Sequence, residues 1–192
     1  MSKAYRSQNI FFALGVLCTL TVYDGNRFYA LSRAKERVKE IDRKCGSVQP
    51  VAIGYAAQEI KRIFKQEGVT QAVIQLGDTV VNMGRTRRIG IQNPFTKSKV
   101  NFAFLDVGEK AMVTLNQKEL SESADCRHHL ASVTLIGNDA VQLSKLCYTV
   151  IGYALNEALA FLKGTEFEAI IVTNDEQVFT TCGLSREQQI AA

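Results

Sequence analysis

The side chains best suited to chemistry fall in three places along the chain. The adjacent pair His128-His129 closes a polar, carboxylate-rich stretch running from Asn116 to Cys126. Histidine is the side chain whose ordinary pKa suits proton transfer near neutrality. On extended backbone two neighbours point to opposite faces, so at most one of the pair can enter a site. The second place is Gly77-Asp78, where the run Ala72-Val73-Ile74-Gln75-Leu76 empties into a turn. Glycine lets backbone N–H groups come close to a ligand there, although a plain hairpin turn reads the same way. The third is a helix start at Asn138-Asp139, whose free N–H groups can face an anion. Ser144 and Tyr148 follow it one helical turn apart, either as two ligands to one centre or as one packed helix face.

Other features narrow the function classes. The net charge is +4, and the densest basic cluster is the short Arg85-Thr86-Arg87-Arg88. That cluster reads as a solvated turn or as a contact for an anionic ligand or partner. No aromatic residues interleave with it, so dedicated nucleic-acid binding is not expected. The cysteines (Cys18, Cys45, Cys126, Cys147, Cys182) are odd in number, scattered, and include no CxxC pair. They point to reduced thiols in a cytoplasmic protein, each a small core residue, not to a disulfide frame or a zinc site. Near the N-terminus, Lys3 and Arg6 precede an apolar run from Ile10 to Cys18 that looks superficially like a signal peptide. The run is short, no small-x-small cleavage site follows, and Thr19, Thr21 and Tyr23 continue it in alternation, so a core strand is expected and no membrane span.

The elements that must position these residues can be read from periodicity. At 192 residues with 46% apolar content, the chain is expected to be a single domain over 1–192. Residues 11–23 form one strand or two broken at Gly15, and Asp24-Gly25-Asn26 is a turn. Phe28, Leu31, Ala34, Val38 and Ile41 make a helical stripe ending near Cys45, and Ala56, Ala57, Ile60, Ile63 and Phe64 make a second, stopped by Gly68. Strands are predicted over 72–76, 88–92, 99–105, 110–115 and 132–136, with 99–105 and 110–115 joined as a hairpin. Residues 77–84 are read as a tight polar turn. Helices over 140–153 and 157–162 follow, then strands over 168–173 and 177–181. Strands that mostly succeed one another directly imply an α+β fold with a largely antiparallel sheet and helices packed on it.

The order of the pieces carries more than any one of them. Phe12-Ala-Leu-Gly-Val-Leu-Cys-Thr-Leu-Thr-Val-Tyr, Ala52-Ile-Gly-Tyr-Ala-Ala-Gln-Glu-Ile, Gln75-Leu-Gly-Asp-Thr-Val and Ile89-Gly-Ile-Gln-Asn-Pro-Phe come first. His128-His129-Leu, Ser132-Val-Thr-Leu-Ile and Tyr148-Thr-Val-Ile-Gly-Tyr-Ala-Leu-Asn-Glu-Ala-Leu continue the series. Together they resemble, over nearly the whole chain, the ApbE family of FAD:protein FMN transferases.

The resemblance implies a T-fold-like α+β architecture and a defined reaction. Such an enzyme takes FAD as substrate, uses Mg²⁺ to neutralise the diphosphate, and transfers FMN to a threonine hydroxyl of an acceptor flavoprotein with release of AMP. It places Ala52, Gly54, Gly77, Asp78 and Thr114 at the flavin and His128 or His129 at the hydroxyl proton. It assigns the Mg²⁺ ligands to the Ala52 carbonyl and to the positions held here by Ser144 and Tyr148. The chain also departs from the family pattern. Ile53 stands at the usual lysine, Ser144 and Tyr148 replace an Asp and a Thr, and a stretch before Val51 that helps enclose the flavin is missing. Asp78 or Asp139 are the carboxylates that would have to compensate. The other reading is a catalytically inactive relative that binds flavin or protein.

Overall fold

In a computed structural model, residues 6–45, 50–96, 100–119 and 130–181 are described. The chain forms β1 (Ser7–Ala13), β2 (Val16–Val22), α1 (Arg27–Cys45), α2 (Pro50–Gln66), β3 (Ala72–Leu76), β4 (Thr79–Met83) and β5 (Arg87–Gln92). It continues through β6 (Asn101–Val107), β7 (Ala111–Asn116), β8 (Leu130–Gly137), α3 (Ala140–Val150), α4 (Leu155–Lys163), β9 (Glu168–Thr173) and β10 (Val178–Thr180). Eight strands make one sheet in the order β1-β2-β3-β4-β7-β8-β9-β10, while β5 and β6 pair as a separate ribbon. Every pairing among the described residues is antiparallel. This is the α+β class that the order of elements implied.

Local chemistry accounts for the helices. Pro50 opens α2, where its missing N–H costs nothing, and Ile53, Ala56, Ala57, Ile60, Ile63 and Phe64 form the buried stripe. Asp139 caps α3, its Oδ1 accepting from the N–H groups of Val141 and Gln142 at 2.7 and 3.1 Å. A clasp closes the end of the sheet where β3 begins. There Asp24 Oδ1 accepts from the N–H groups of Thr70 (2.9 Å) and Gln71 (3.0 Å), and the Thr70 hydroxyl donates to Oδ2. Burial works against the Asp24 charge, but these bonds outweigh it and hold the carboxyl below its ordinary range. Gly25 (φ +65°) is required beside it, since a Cβ would stand 2.7 Å from the Gly68 carbonyl oxygen.

The sheet is covered on both faces. Leu20, Ile74, Leu76, Val81, Val113 and Leu135 meet Val38, Ile60, Phe64 and Leu143 on the helix side. On the other side Val80, Met112, Ile136 and Ile170 meet Ile91, Ala103, Leu105 and Val107 of the ribbon.

Two expectations are overturned. Residues 79–83, read as part of a polar turn, are β4, buried at every position in the middle of the sheet. A strand covered on both faces shows no alternation, and Asn82 looks like a turn residue. In fact its Nδ2 donates to the carbonyls of Arg85 (3.0 Å), Val107 (2.9 Å) and Gly108 (2.8 Å), tying the ribbon to the sheet. The hairpin between 99–105 and 110–115 does not form either. β6 pairs with β5, whereas β7 pairs with β4 and β8, because the short link over 108–110 carries the chain from one layer to the other. Between the alternatives at 11–23, the structure has two strands, turned at Leu14 (φ +54°) and Gly15 (φ +71°).

Candidate functional site

The register brings one set of expected residues to a common end of the sheet. Leu76 pairs with both Cys18 and Thr79, Thr79 with Val113, Asn116 with Ser132, and Leu130 with Thr173. Gly77-Asp78 is the turn between β3 and β4 at this end. The Asp78 carbonyl accepts from the Thr114 N–H at 3.2 Å, and Asp78 Oδ2 accepts from Asn116 Nδ2 at 3.1 Å. Thr114 and Thr134 share a buried hydrogen bond of 2.9 Å between their hydroxyls. Beside them Ser132 is buried, and its Oγ has no hydrogen-bond partner among the described residues. Alternation puts Thr114, Asn116, Ser132 and Thr134 on the ribbon side of the sheet, the side opposite α2 and α3.

Gly77 contributes differently from what its type suggested. Its φ of +57° fits the turn, but its N–H donates to the Leu17 carbonyl at 3.0 Å, and a Cβ would stand 3.0 Å from Val16 Cγ1. The amide is thus committed to the β1–β2 hairpin.

A second set meets on the helix side. α2 crosses α3 at Gly54, where a Cβ would stand 2.6 Å from the Ala140 carbonyl oxygen and would collide with the Ser144 hydroxyl. Ser144 is 0% exposed, and its hydroxyl donates to the Ala140 carbonyl at 2.7 Å. Tyr148, one turn on, is 58% exposed. Ala52 is half-buried two residues ahead of Gly54.

These placements decide what a cation would meet. A buried serine hydroxyl already donating within its own helix offers no anionic oxygen, which Mg²⁺ needs to offset its dehydration. Asp139 spends Oδ1 on the α3 cap and Asp78 holds Asn116. Among the described residues no group of three or more His, Cys, Asp or Glu is arranged to hold a metal. The residues present do not fit Mg²⁺. The Ser132 hydroxyl, without a hydrogen-bond partner among the described residues, pairs across the strands with Asn116, which holds Asp78.

His128 and His129 lie outside the described residues. The buried thiols are unsuited to nucleophilic work: burial pushes Cys18 up to about 11 and Cys147 higher still. Asn116, Ser132 and Thr134 escaped the sequence reading. The one available signal was the hydroxyl alternation Ser132-Val133-Thr134 inside an apolar strand, which reads equally as a solvated face.

Comparison with known proteins then gives the site a context. Residues 47–171 match the pattern of the ApbE family. A protein of Klebsiella pneumoniae (strain 342) described as FAD:protein FMN transferase is 26% identical over 144 residues, covering 67% of this chain and 45% of that protein. A second Klebsiella pneumoniae protein of the same description is 26% identical over 124 residues, covering 54% and 35%. The chain therefore spans less than half the length of these relatives. In fold it is similar to the ApbE protein of Thermotoga maritima (TM-score 0.78, 13% identity, covering 92% of this chain and 97% of that one). It is also similar to flavin transferase ApbE of Vibrio cholerae (TM-score 0.79, 8% identity, 93% and 98%).

Proposed function

The chain belongs to the ApbE family, and on that premise we propose that it is a flavin transferase domain moving FMN from FAD to a threonine hydroxyl of an acceptor flavoprotein. The family match over residues 47–171 carries this reading, and relatives described as FAD:protein FMN transferase support it. In the reaction the bond between the two phosphates of FAD breaks, a phosphoester to the acceptor oxygen forms, the hydroxyl proton departs, and AMP leaves. FAD supplies the activated phosphoryl group. The protein's work is positioning and charge control, as in phosphoryl transfer generally.

Asp78, with Asn116 and Thr114 fixed on it, and the Ser132 hydroxyl are the groups we assign to flavin contact on the ribbon side. Ala52 and Gly54 lie across the sheet on the helix side, where Gly54 packs against Ala140 and Ser144, and we propose for them only a contact from the start of α2, separate from these groups. Gly77 acts by shaping the turn. We assign the hydroxyl proton to His128 or His129. No step is routed through Mg²⁺, because the residues that would hold it do not fit it. We also propose that residues 1–192 act as one transferase domain lacking part of the flavin-enclosing region, and that its free thiols belong to a cytoplasmic protein. No helix among the described residues is long and apolar enough to cross a membrane.

The state of Ser144 favours a second reading, a flavin- or protein-binding module without turnover. One experiment separates the two. The purified chain is mixed with FAD, Mg²⁺ and a threonine-bearing acceptor domain, and covalent flavin is followed by in-gel fluorescence. A labelled acceptor is expected. FAD binding without labelling would replace the transferase with the flavin-binding module, and absence of FAD binding would leave only the protein-binding scaffold.

A further inference from the structure

The basic cluster 85–88 is not absorbed by the flavin reading, and the structure gives it a setting of its own. β5 pairs along one edge with β6, and among the described residues its other edge pairs with no strand. Between that open edge and the ribbon-side surface of β3 and β4 lies a cavity of about 760 Å³, within the ordinary range for small-molecule sites. Val73, Val80 and Ile89 form an apolar wall, and the amides of Gln75, Gln92 and Asn101 offer donors and acceptors. Arg85, Arg87 and Arg88 also line it, and among the described residues no carboxylate does.

Arg87 is the unusual member. Its guanidinium carbon sits 3.8 Å from the centre of the Tyr23 ring, a stacked cation–π arrangement. Its Nε and Nη2 are shielded from water and have no hydrogen-bond acceptor among the described residues. A guanidinium taken out of water is normally matched by an anion, most often through two parallel hydrogen bonds. The ring face offsets part of that loss and leaves the full charge at the cavity wall. Arg88 stands opposite Asp106 in the ribbon and over the Phe104 ring, so its charge is partly balanced. Arg85 and Arg87 remain as the cavity's net positive charge.

We propose that this cavity is a second ligand site, taking a small organic phosphate of nucleotide size. Two arginines call for more negative charge than one carboxylate carries. The volume exceeds that of bare phosphate, and the apolar wall with its flanking amides suits an attached ring. The lining includes none of Ala52, Gly54, Gly77, Asp78 or Thr114, although Gln75 Nε2 reaches the Gly77 carbonyl at 3.4 Å, so the cavity abuts that turn. The inference does not depend on the flavin reading.

The test titrates the full chain with AMP, inorganic phosphate and adenosine by calorimetry, with and without saturating FAD. AMP is expected to bind in both conditions, inorganic phosphate to compete with it, and adenosine to bind far more weakly. Arg87→Met keeps an apolar chain against Tyr23 and is expected to weaken AMP by about tenfold or more while leaving FAD titration unchanged. Gln75→Glu, at an exposed side chain, places a negative charge on the lining and is expected to weaken AMP several-fold. Unchanged AMP affinity in the folded variants, displacement of AMP by FAD, or no binding of AMP and phosphate by the parent chain would each overturn the second site. A chain that binds no FAD but binds AMP through Arg87 would keep it.

Discussion

The two faces of the large sheet are built on different terms. On the helix side, Leu20, Ile74, Leu76, Val81 and Leu135 meet α1, α2 and α3 in a mainly apolar layer, and the buried Ser144 hydroxyl there is satisfied within α3. On the ribbon side the apolar patch around Val80, Met112, Ile136 and Ile170 is smaller, and buried Asn82, Thr114, Ser132 and Thr134 share the surface. Beyond the ribbon, Ile10, Phe12 and Leu17 are exposed. The first face holds the fold together. The second is covered by only two strands and keeps polar groups out of water, which costs stability unless they are paired. That difference places both candidate ligand regions, the Asp78 end and the arginine cavity, on the ribbon side.

Three substitutions sharpen or break this contrast, taken from the largest effect to the smallest. Phe64→Ala empties a fully buried site on the helix face and is expected to lower unfolding free energy by about 3–5 kcal/mol in urea titrations. A loss below about 1 kcal/mol would mean that the helix layer is not the main core. Asn82→Ala removes the donor shared by three carbonyls and is expected to cost about 2 kcal/mol. Hydrogen exchange should then show the amides of β5 and β6 losing protection ahead of those of β3 and β7; uniform loss would mean that the ribbon is not a separable layer. Thr114→Val strands the Thr134 hydroxyl and is expected to cost about 1–2 kcal/mol, whereas Thr114→Val with Thr134→Val should return most of it. Additive losses in the double variant would show that the hydroxyls act independently.

Much of the fold was legible because its signals are local. The α2 stripe from Ala56 to Phe64, the Gly68 stop and the Asp139 cap each depend on residues within a turn or two of one another. β4 was missed for a physical reason: burial on both faces erases alternation, and the role of Asn82 depends on carbonyls near residues 85 and 107–108. The hairpin expected between 99–105 and 110–115 failed because a short turn specifies where the chain bends and not which layer the next strand joins. At the site, Asp78 was named from its glycine turn and Thr114 from the family resemblance, but their hydrogen bond comes from the pairing of β4 with β7. Ser132 and Arg87 could not be singled out, since a serine in a strand and an arginine in a basic run look the same whether wet or dry.

Sequence by itself determined most of the element types and their order, β4 excepted, together with the α+β class and the family to which the chain belongs. Those rest on periodicity, caps and turn residues, which act over a few positions, and on motif order. Tertiary structure alone decided which strands share a layer, that Ser144 is sealed under Gly54, that the Ser132 hydroxyl has no partner among the described residues, and that Arg87 lies against Tyr23 on a cavity wall. Loss of water from a polar group requires two surfaces to meet, and no stretch of sequence contains both.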